Sequence, residues 1–532
     1  MPSQRARARR RRMPPPAVSA PGNQSRVIVF LLCALAVPRI VRLLYSAVWV
    51  EDDLLLESAF AVSKGLRPYL DFNHAQMPLL EWAAGLYIRI AGASHMNMEV
   101  LNGAAIYATS VLIYFVGRRA FDTRVAIAGS LLYACHSLVF RYHVWAREFF
   151  VSALVLGAIL VLLRERPPGR QQIAAAAALL CAACAIKLTA GIAAIAICAY
   201  LVFVERVPAR AAALAASIAA ALGAFVAFCY WRYGEPFIFQ TFLFHFLKGV
   251  DPEGAGPSYI LSLLDVLGPL SVLGLWYVAV RIGSQHPLRL VVVVLAAYLL
   301  FFGIASPTAW GHNYVEVWPF VCLLGGAGVA WLVEAWQRSW LRVAVGAAIA
   351  AACLYWITPI VNESWTRGST YGFGFVTRRE LSDLATALAG ATGKDEEVIA
   401  PSFIAFEANR LQAIRYPESY GVITAGQELV RSAGFPQARE RFGTKGFFDL
   451  INETSSIWND EVVRAIAPGG RVNAMIPDSS IQLLPLVNAS PSALSDRGFR
   501  LALRTAHFAL WVRRHDTSSL GQRTTKVNDG GI

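Results

Sequence analysis

Apolar runs long enough to cross a bilayer recur along this chain, and the short polar loops between them carry a patterned charge. The runs fall at roughly 27–50, 99–117, 125–141, 148–163, 173–187, 188–204, 210–230, 258–280, 289–306, 313–335 and 341–360, against the ~20 residues a membrane helix needs. Alternate loops read GRRAFDTR, RERPPGRQQ, ERVPAR, RIGSQHPLR and QRSWLR, all basic, whereas SPTAWGHN has no Lys or Arg. Basic loops mark the cytoplasmic side of a membrane. With the Arg-rich N-terminal stretch inside, the pattern predicts about eleven transmembrane helices in the cytoplasmic (plasma) membrane. The N-terminus is then cytoplasmic and the C-terminal part extracytoplasmic. Composition agrees. Hydrophobic residues make up 56% and charged residues 16% of the chain, and soluble domains carry about 25% charged residues.

The net charge of +13 is gathered in SQRARARRRR and in the inner loops. It is membrane-side bias, so no nucleic-acid partner is expected. Residues 1–26 read as a basic, disordered cytoplasmic tail. The first run is too long for a signal-peptide core of about 7–15 residues. All eight cysteines lie in apolar runs, which argues against a disulfide framework. Cys181 and Cys184 have CxxC spacing in ALLCAACAIK, where small packing residues explain them best. The expected fold is an α-helical polytopic membrane protein with a transmembrane domain over 27–360. Two long outer loops, 51–98 and 231–257, interrupt it. In the first, PLLEWAAGLYIRIAG is amphipathic and too short to cross, so it should lie along the interface. In the second, repeated Phe residues predict a membrane-surface helix followed by a Gly/Pro loop. Residues 361–532 read as a small extracytoplasmic α/β domain. TRRELSDLATALAGATG predicts a helix with Thr377 at its start, Leu381, Leu384 and Leu388 on one face and Gly393 as a stop. EEVIAPSF, RVNAMIP, FRLALRT and HFALWVRR read as strands.

Three acids, Glu51, Asp52 and Asp53, follow the first run at the expected outer surface. A hydrophilic stop needs only one charge of either sign. Three adjacent carboxyl groups repel one another, and apolar walls raise the pKa of at least one. Such a cluster suits a general base or a cation site. Arg147 and Glu148 open the fourth run on the same side, where a carboxylate at a helix N-terminus is also favourable in its own right. His74, Gln76, Lys187, His245, Lys248, His312 and Tyr314 gather there too. Lys187 lies between two very apolar runs, and an ionisable residue near membrane depth is costly and by default functional. Asp265 in LSLLDVLGPL lies deeper, beside Pro269.

EDDLLLESAFAVSKGLRPYLDFNHAQMPLLEW resembles the first outer loop of GT-C glycosyltransferases. The nearest likeness is to the bacterial branch related to protein O-mannosyltransferases and lipid A aminoarabinose transferases. The matching order is Glu51-Asp52, Gly65, Pro68-Tyr69-Leu70-Asp71-Phe72, His74 and Pro78-Leu79-Leu80. WAREFFVSALVL resembles the second acidic position, on Glu148. ACAIKLTAGI resembles the Lys after the fifth helix, on Lys187. HNYVEVWPF resembles the family's His-Tyr-x-x-x-x-Pro entry to a late helix, with Asn313 inserted. Two departures stand out. The first acid is Glu51 where the family usually has Asp, so Asp52 or Asp53 competes for the role. Met77 stands where some relatives carry a Lys for the donor phosphate.

The resemblance implies a membrane glycosyltransferase of the cell envelope, hexosyl or pentosyl. It would move sugar from a polyprenyl phosphate to a lipid, glycan or protein acceptor on the outer face of the membrane. A carboxylate, Glu51 or Asp52, would take the acceptor hydroxyl's proton, with Glu148 orienting the acceptor or helping hold a cation, and attack would invert the anomeric carbon. Lys187, His74, Arg147 and Lys248 are the candidates for the donor phosphate, Lys187 first. Asp53, Gln76, His312 and Tyr314 are expected to line the substrate. No metal ligand set is assigned, and a divalent cation stays open. The alternative is a polytopic transporter or lipid flippase, which an ionisable midplane residue such as Asp265 also suits. That reading predicts internal repeats with Gly/Pro-broken helices, which the sequence does not display, and it leaves the outer acids without a role.

Overall fold

The computed structural model describes residues 53–135, 145–163, 167–247, 286–306, 311–335, 375–413, 417–443, 447–477, 490–505 and 507–514, with isolated short pieces elsewhere. Most of the expected first, eighth and eleventh runs lie outside the described residues, as do Glu51, Asp52, Lys248, Asp265 and the tail 1–25.

The other eight runs are helical, and most begin a few residues before the apolar stretch. They form α3 (His95–Ala120), α4 (Thr123–Cys135), α5 (Arg147–Leu162), α6 (Arg170–Ile186), α7 (Ala190–Ala199), α8 (Pro208–Tyr233), α9 (His286–Leu300) and α10 (Trp318–Ala335). π-turns at Tyr200–Val204 and Phe301–Ala305 extend α7 and α9. Among the described residues, His95–Ala120, Pro208–Tyr233 and Pro287–Ala305 are long and apolar enough to cross a membrane. Arg170–Ile186, Ala190–Val204 and Trp318–Leu332 are shorter apolar helices. Small residues let two of these backbones meet, as membrane helix interfaces favour. A Cβ on Gly326 of α10 would lie 2.6 Å from the Val125 carbonyl oxygen of α4.

The acids at the start of the expected first outer loop lead into a helix that the sequence pattern did not show, α1 (Asp53–Ser63). The amphipathic stretch forms α2 (Leu79–Ala91), which packs on α1. Its inner face carries Leu80, Glu81, Ala84, Gly85 and Ile88, while Leu86 and Ile90 are exposed. The Phe-rich segment is helical from Glu235 to Leu247 through a π-turn at Phe239–Leu243.

The helices share a polarity that positions the site. The N-termini of α3, α5 and α10 and the C-terminus of α6 meet at one end. The other end carries Arg118 and Arg119 of α3, Arg170 of α6 and Arg210 of α8. There Arg119 Nη1 donates to the Leu160 carbonyl at 2.6 Å, tying the ends of α3 and α5 together.

The chain after 375 lies against the site end. Helix α11 (Arg378–Ala391) starts as expected, with the Thr377 hydroxyl accepting from the Glu380 amide and Leu381, Leu384 and Leu388 buried. It ends just before Gly393. Antiparallel strands β1 (Ala474–Met475), β3 (Ala509–Arg513) and β2 (Phe499–Arg504) follow in that spatial order. The expected strand EEVIAPSF contributes only bridges at Val398 and Ile399 before turning helical at Ser402–Glu407. Several long helices within 417–466 exceed the sequence expectation. This part shares a core with the helical body: Phe60 stacks edge-on to Phe406, with centroids 5.3 Å apart. Polar contacts bind it as well. Arg378 donates to Glu99 at 2.6 Å, His95 Nδ1 meets Glu407 at 2.7 Å, and the Ser402 hydroxyl donates to Glu57 at 2.8 Å.

Candidate active site

The Pro-Tyr-x-Asp-Phe stretch builds a turn that presents His74. The Asp71 carboxylate accepts from the Arg67 amide at 2.7 Å and pairs with its guanidinium at 3.0 Å. Tyr69 adopts φ +68°, a strained choice for a residue with a Cβ, and such strain clusters at functional sites. Its hydroxyl donates to the Gln76 carbonyl at 2.5 Å, and its ring packs on Tyr233 and Phe237. Gln240 clamps this turn: its Oε1 accepts from the His74 amide at 2.7 Å and its Nε2 donates to the Tyr69 carbonyl at 3.2 Å. His245 Nε2 lies 2.6 Å from the Ala75 carbonyl.

His74 is thereby held over α2. Its Nδ1 lies 3.2 Å from the Ser58 hydroxyl and its Nε2 3.5 Å from Glu81. Arg147, the first residue of α5, reaches the same carboxylate from the other side, Nη2 to Oε1 at 3.2 Å. Glu81 is 1% and Arg147 2% exposed. Burial pushes the Glu81 carboxyl up, but His74 and Arg147 outweigh it and hold the group below the ordinary carboxylate range. Arg147 is far from saturated. A guanidinium has five N–H donors, yet its Nε, Nη1 and Nη2 make no hydrogen bond among the described residues.

The next residue, Glu148, points into a second cluster. Its Oε1 accepts from Lys187 Nζ at 2.6 Å. Lys187 caps the C-terminus of α6 and also meets Glu316 Oε1 at 3.0 Å and Asn313 Oδ1 at 2.7 Å. The Thr189 hydroxyl donates to Glu316 at 2.7 Å. A buried polar band thus runs from Ser58 through His74, Glu81, Arg147, Glu148 and Lys187 to Glu316. No group of three or more His, Cys, Asp or Glu among the described residues is arranged to hold a metal ion.

A family model described as dolichyl-phosphate-mannose-protein mannosyltransferase matches residues 73–231, which include His74, Glu81, Arg147, Glu148 and Lys187. ArnT from Cupriavidus metallidurans in the apo state is similar in structure, with a TM-score of 0.63 at 13% identity over 92% of this chain and 98% of that one. The same protein bound to undecaprenyl phosphate gives 0.60 at 12% identity over 93% and 99%. The chain has the GT-C fold. The archaeal oligosaccharyltransferase AglB from Archaeoglobus fulgidus, in complex with an inhibitory peptide and a dolichol-phosphate, is similar at 0.52 and 11% identity over 86% and 70%. No curated protein matches the chain by sequence.

Within this GT-C fold, four of the residues singled out by sequence come together: His74, Arg147, Glu148 and Lys187. Asp53 opens α1. Gln76 takes part through its backbone carbonyl. His312 stands in the turn Gly311–Glu316 that also carries Asn313. Tyr314 is buried, its hydroxyl donating to the Phe302 carbonyl at 3.4 Å, so its ring belongs to the core. Lys187 differs most from the expectation, because three oxygens already surround its ammonium. Glu81, Glu316, Asn313 and Ser58 were missed. Glu81 had a readable signal: it sits on the same face as Leu80, Ala84 and Ile88, a charge on an apolar stripe.

Proposed function

We propose that the protein transfers a sugar, hexosyl or pentosyl, from a polyprenyl phosphate to an acceptor on the outer face of the cytoplasmic membrane. The observation that supports this reading is Arg147, a buried cation with unused donors among the described residues, at the N-terminus of the apolar helix α5. A phosphate arriving on a lipid can reach such a position, and a nucleotide site is not needed. ArnT, of like fold, has been solved with undecaprenyl phosphate.

In the proposed step the acceptor oxygen bonds to the anomeric carbon as the carbon–oxygen bond to the lipid phosphate breaks. The electron pair leaves on the phosphate, and the acceptor's proton passes to Glu51 or Asp52. Attack opposite the leaving group inverts the anomeric carbon. Arg147, with His74 beside it, stabilises the charge developing on the phosphate. Glu148 orients the acceptor, and Lys248 joins the phosphate side. Asp53, Gln76 and His312 belong to the substrate-binding rim, and Tyr314 supports it from the core. The N-terminus is cytoplasmic in this reading, and the part after 361 faces outward.

The test uses full-length protein in lipid nanodiscs supplied with polyprenyl-phosphate sugars from native membranes. Transfer consumes the donor and releases free polyprenyl phosphate in equal amount. A donor that stays intact with a competent acceptor extract present contradicts the proposal.

A further inference from the structure

Glycosyl transfer of this kind needs a cation for the phosphate and an acid held in place, and the two buried clusters divide these tasks. An ammonium has three donors. Around Lys187 Nζ stand Glu148 Oε1 at 2.6 Å, Asn313 Oδ1 at 2.7 Å and Glu316 Oε1 at 3.0 Å. Lys187 is 5% and Glu316 1% exposed. Two hydrogen bonds and one ion pair to oxygens of the described residues thus surround the ammonium. The three acceptors come from two other segments, the first turn of α5 and the turn Gly311–Glu316 that leads into α10. Thr189, two residues beyond Lys187, fixes Glu316 with its hydroxyl at 2.7 Å. Ser152, one turn along α5 from Glu148, donates to the Val315 carbonyl at 3.3 Å, so the same two segments are joined twice.

We infer that Lys187, Glu316 and Asn313 form a positioning clamp for Glu148, and that Lys187 is not a ligand of the donor phosphate. The inference rests on the transferase reading and changes the division of labour within it. Arg147, one residue before Glu148, carries the phosphate side. The clamp sets where the Glu148 carboxylate points. Glu148 therefore cannot swing toward the neighbouring Arg147 guanidinium, which stays available to substrate.

The distinction is measurable as a split between affinity and turnover. Lys187→Met alone leaves two buried carboxylates facing each other, a strongly destabilising arrangement. The informative variants are Glu316→Gln and the charge-compensated Lys187→Met/Glu316→Gln, both in full-length protein. The probe for binding is undecaprenyl phosphate in nanodiscs. Turnover is read with saturating donor. The clamp predicts that folded double variant binds undecaprenyl phosphate within about threefold of wild type while kcat falls by about tenfold or more, and that Glu316→Gln lowers kcat in the same direction. Binding weakened by more than about tenfold in the folded double variant returns Lys187 to the phosphate and overturns the inference. Unchanged kcat in both variants overturns the clamp as well. Failure of wild type to consume any donor marks instead the failure of the transferase reading.

Discussion

Arg147→Met is the perturbation with the sharpest consequence. Two effects follow, and the structure separates them. The first is stability. Removing the guanidinium leaves Glu81, 1% exposed, with the His74 imidazole at 3.5 Å as its remaining described ionisable neighbour. Breaking a buried ion pair from one side costs about 3–5 kcal/mol. The second is affinity. A hydrogen bond to a charged group contributes about 1.5–3 kcal/mol, and each 1.4 kcal/mol is tenfold. The Kd for undecaprenyl phosphate should therefore rise by about 10- to 150-fold. The double variant Arg147→Met/Glu81→Gln removes both charges, so it should recover most of the thermal stability and none of the affinity. Thermal unfolding and lipid-phosphate titration of the same nanodisc preparation read both. A stable double variant that binds undecaprenyl phosphate within threefold of wild type would refute the assignment of Arg147 to the phosphate.

Glu51→Gln and Asp52→Asn should each lower turnover more than donor binding, with a loss of roughly 10²-fold or more for the true base and a smaller effect from Asp53→Asn, as steady-state kinetics with separate donor titration will show. Reporter fusions at Gly169 and Gly530 should give opposite sidedness signals, and the same signal from both would remove the outer placement of the site. Burial raises the Glu407 carboxyl, but hydrogen bonds and charge from His95, with Arg378 beyond, hold it below its ordinary value. A depressed folded pKa stabilises above the unfolded value of about 4.3 and loses that stability as pH falls through the folded pKa. Thermal stability should thus drop on acidification below about pH 4, and Glu407→Gln should flatten that drop.

Much of the helical body was legible because hydrophobic length and loop charge are local signals. The runs that became α3 to α10 needed no tertiary information, and neither did the Thr377 cap or the leucine face of α11. Helix α1 was not legible. Its residues, DLLLESAFAVS, follow the acids without a break in apolar character, and nothing local separates a short helix from a loop there. The site was legible in membership more than in pairing. Arg147, Glu148, Lys187 and His74 stood out as polar residues on one side of an apolar chain. That Glu81 joins His74 to Arg147, and that Glu316 shares Lys187 with Glu148, depends on contacts between residues 66 and 129 positions apart. Such contacts leave no spacing pattern. Lys187 shows the cost: an ionisable residue at membrane depth marks a site, but burial and partners decide whether it faces substrate or another side chain.

The most direct test of the transferase itself is mass spectrometry of lipid-linked sugars and envelope glycans in a strain lacking this protein. The account predicts that one polyprenyl-phosphate sugar accumulates while the matching sugar disappears from an envelope lipid, glycan or protein, and that wild-type protein restores both but an Arg147→Met/Glu81→Gln variant does not. An unchanged pool of lipid-linked sugars together with unchanged envelope glycans would contradict it.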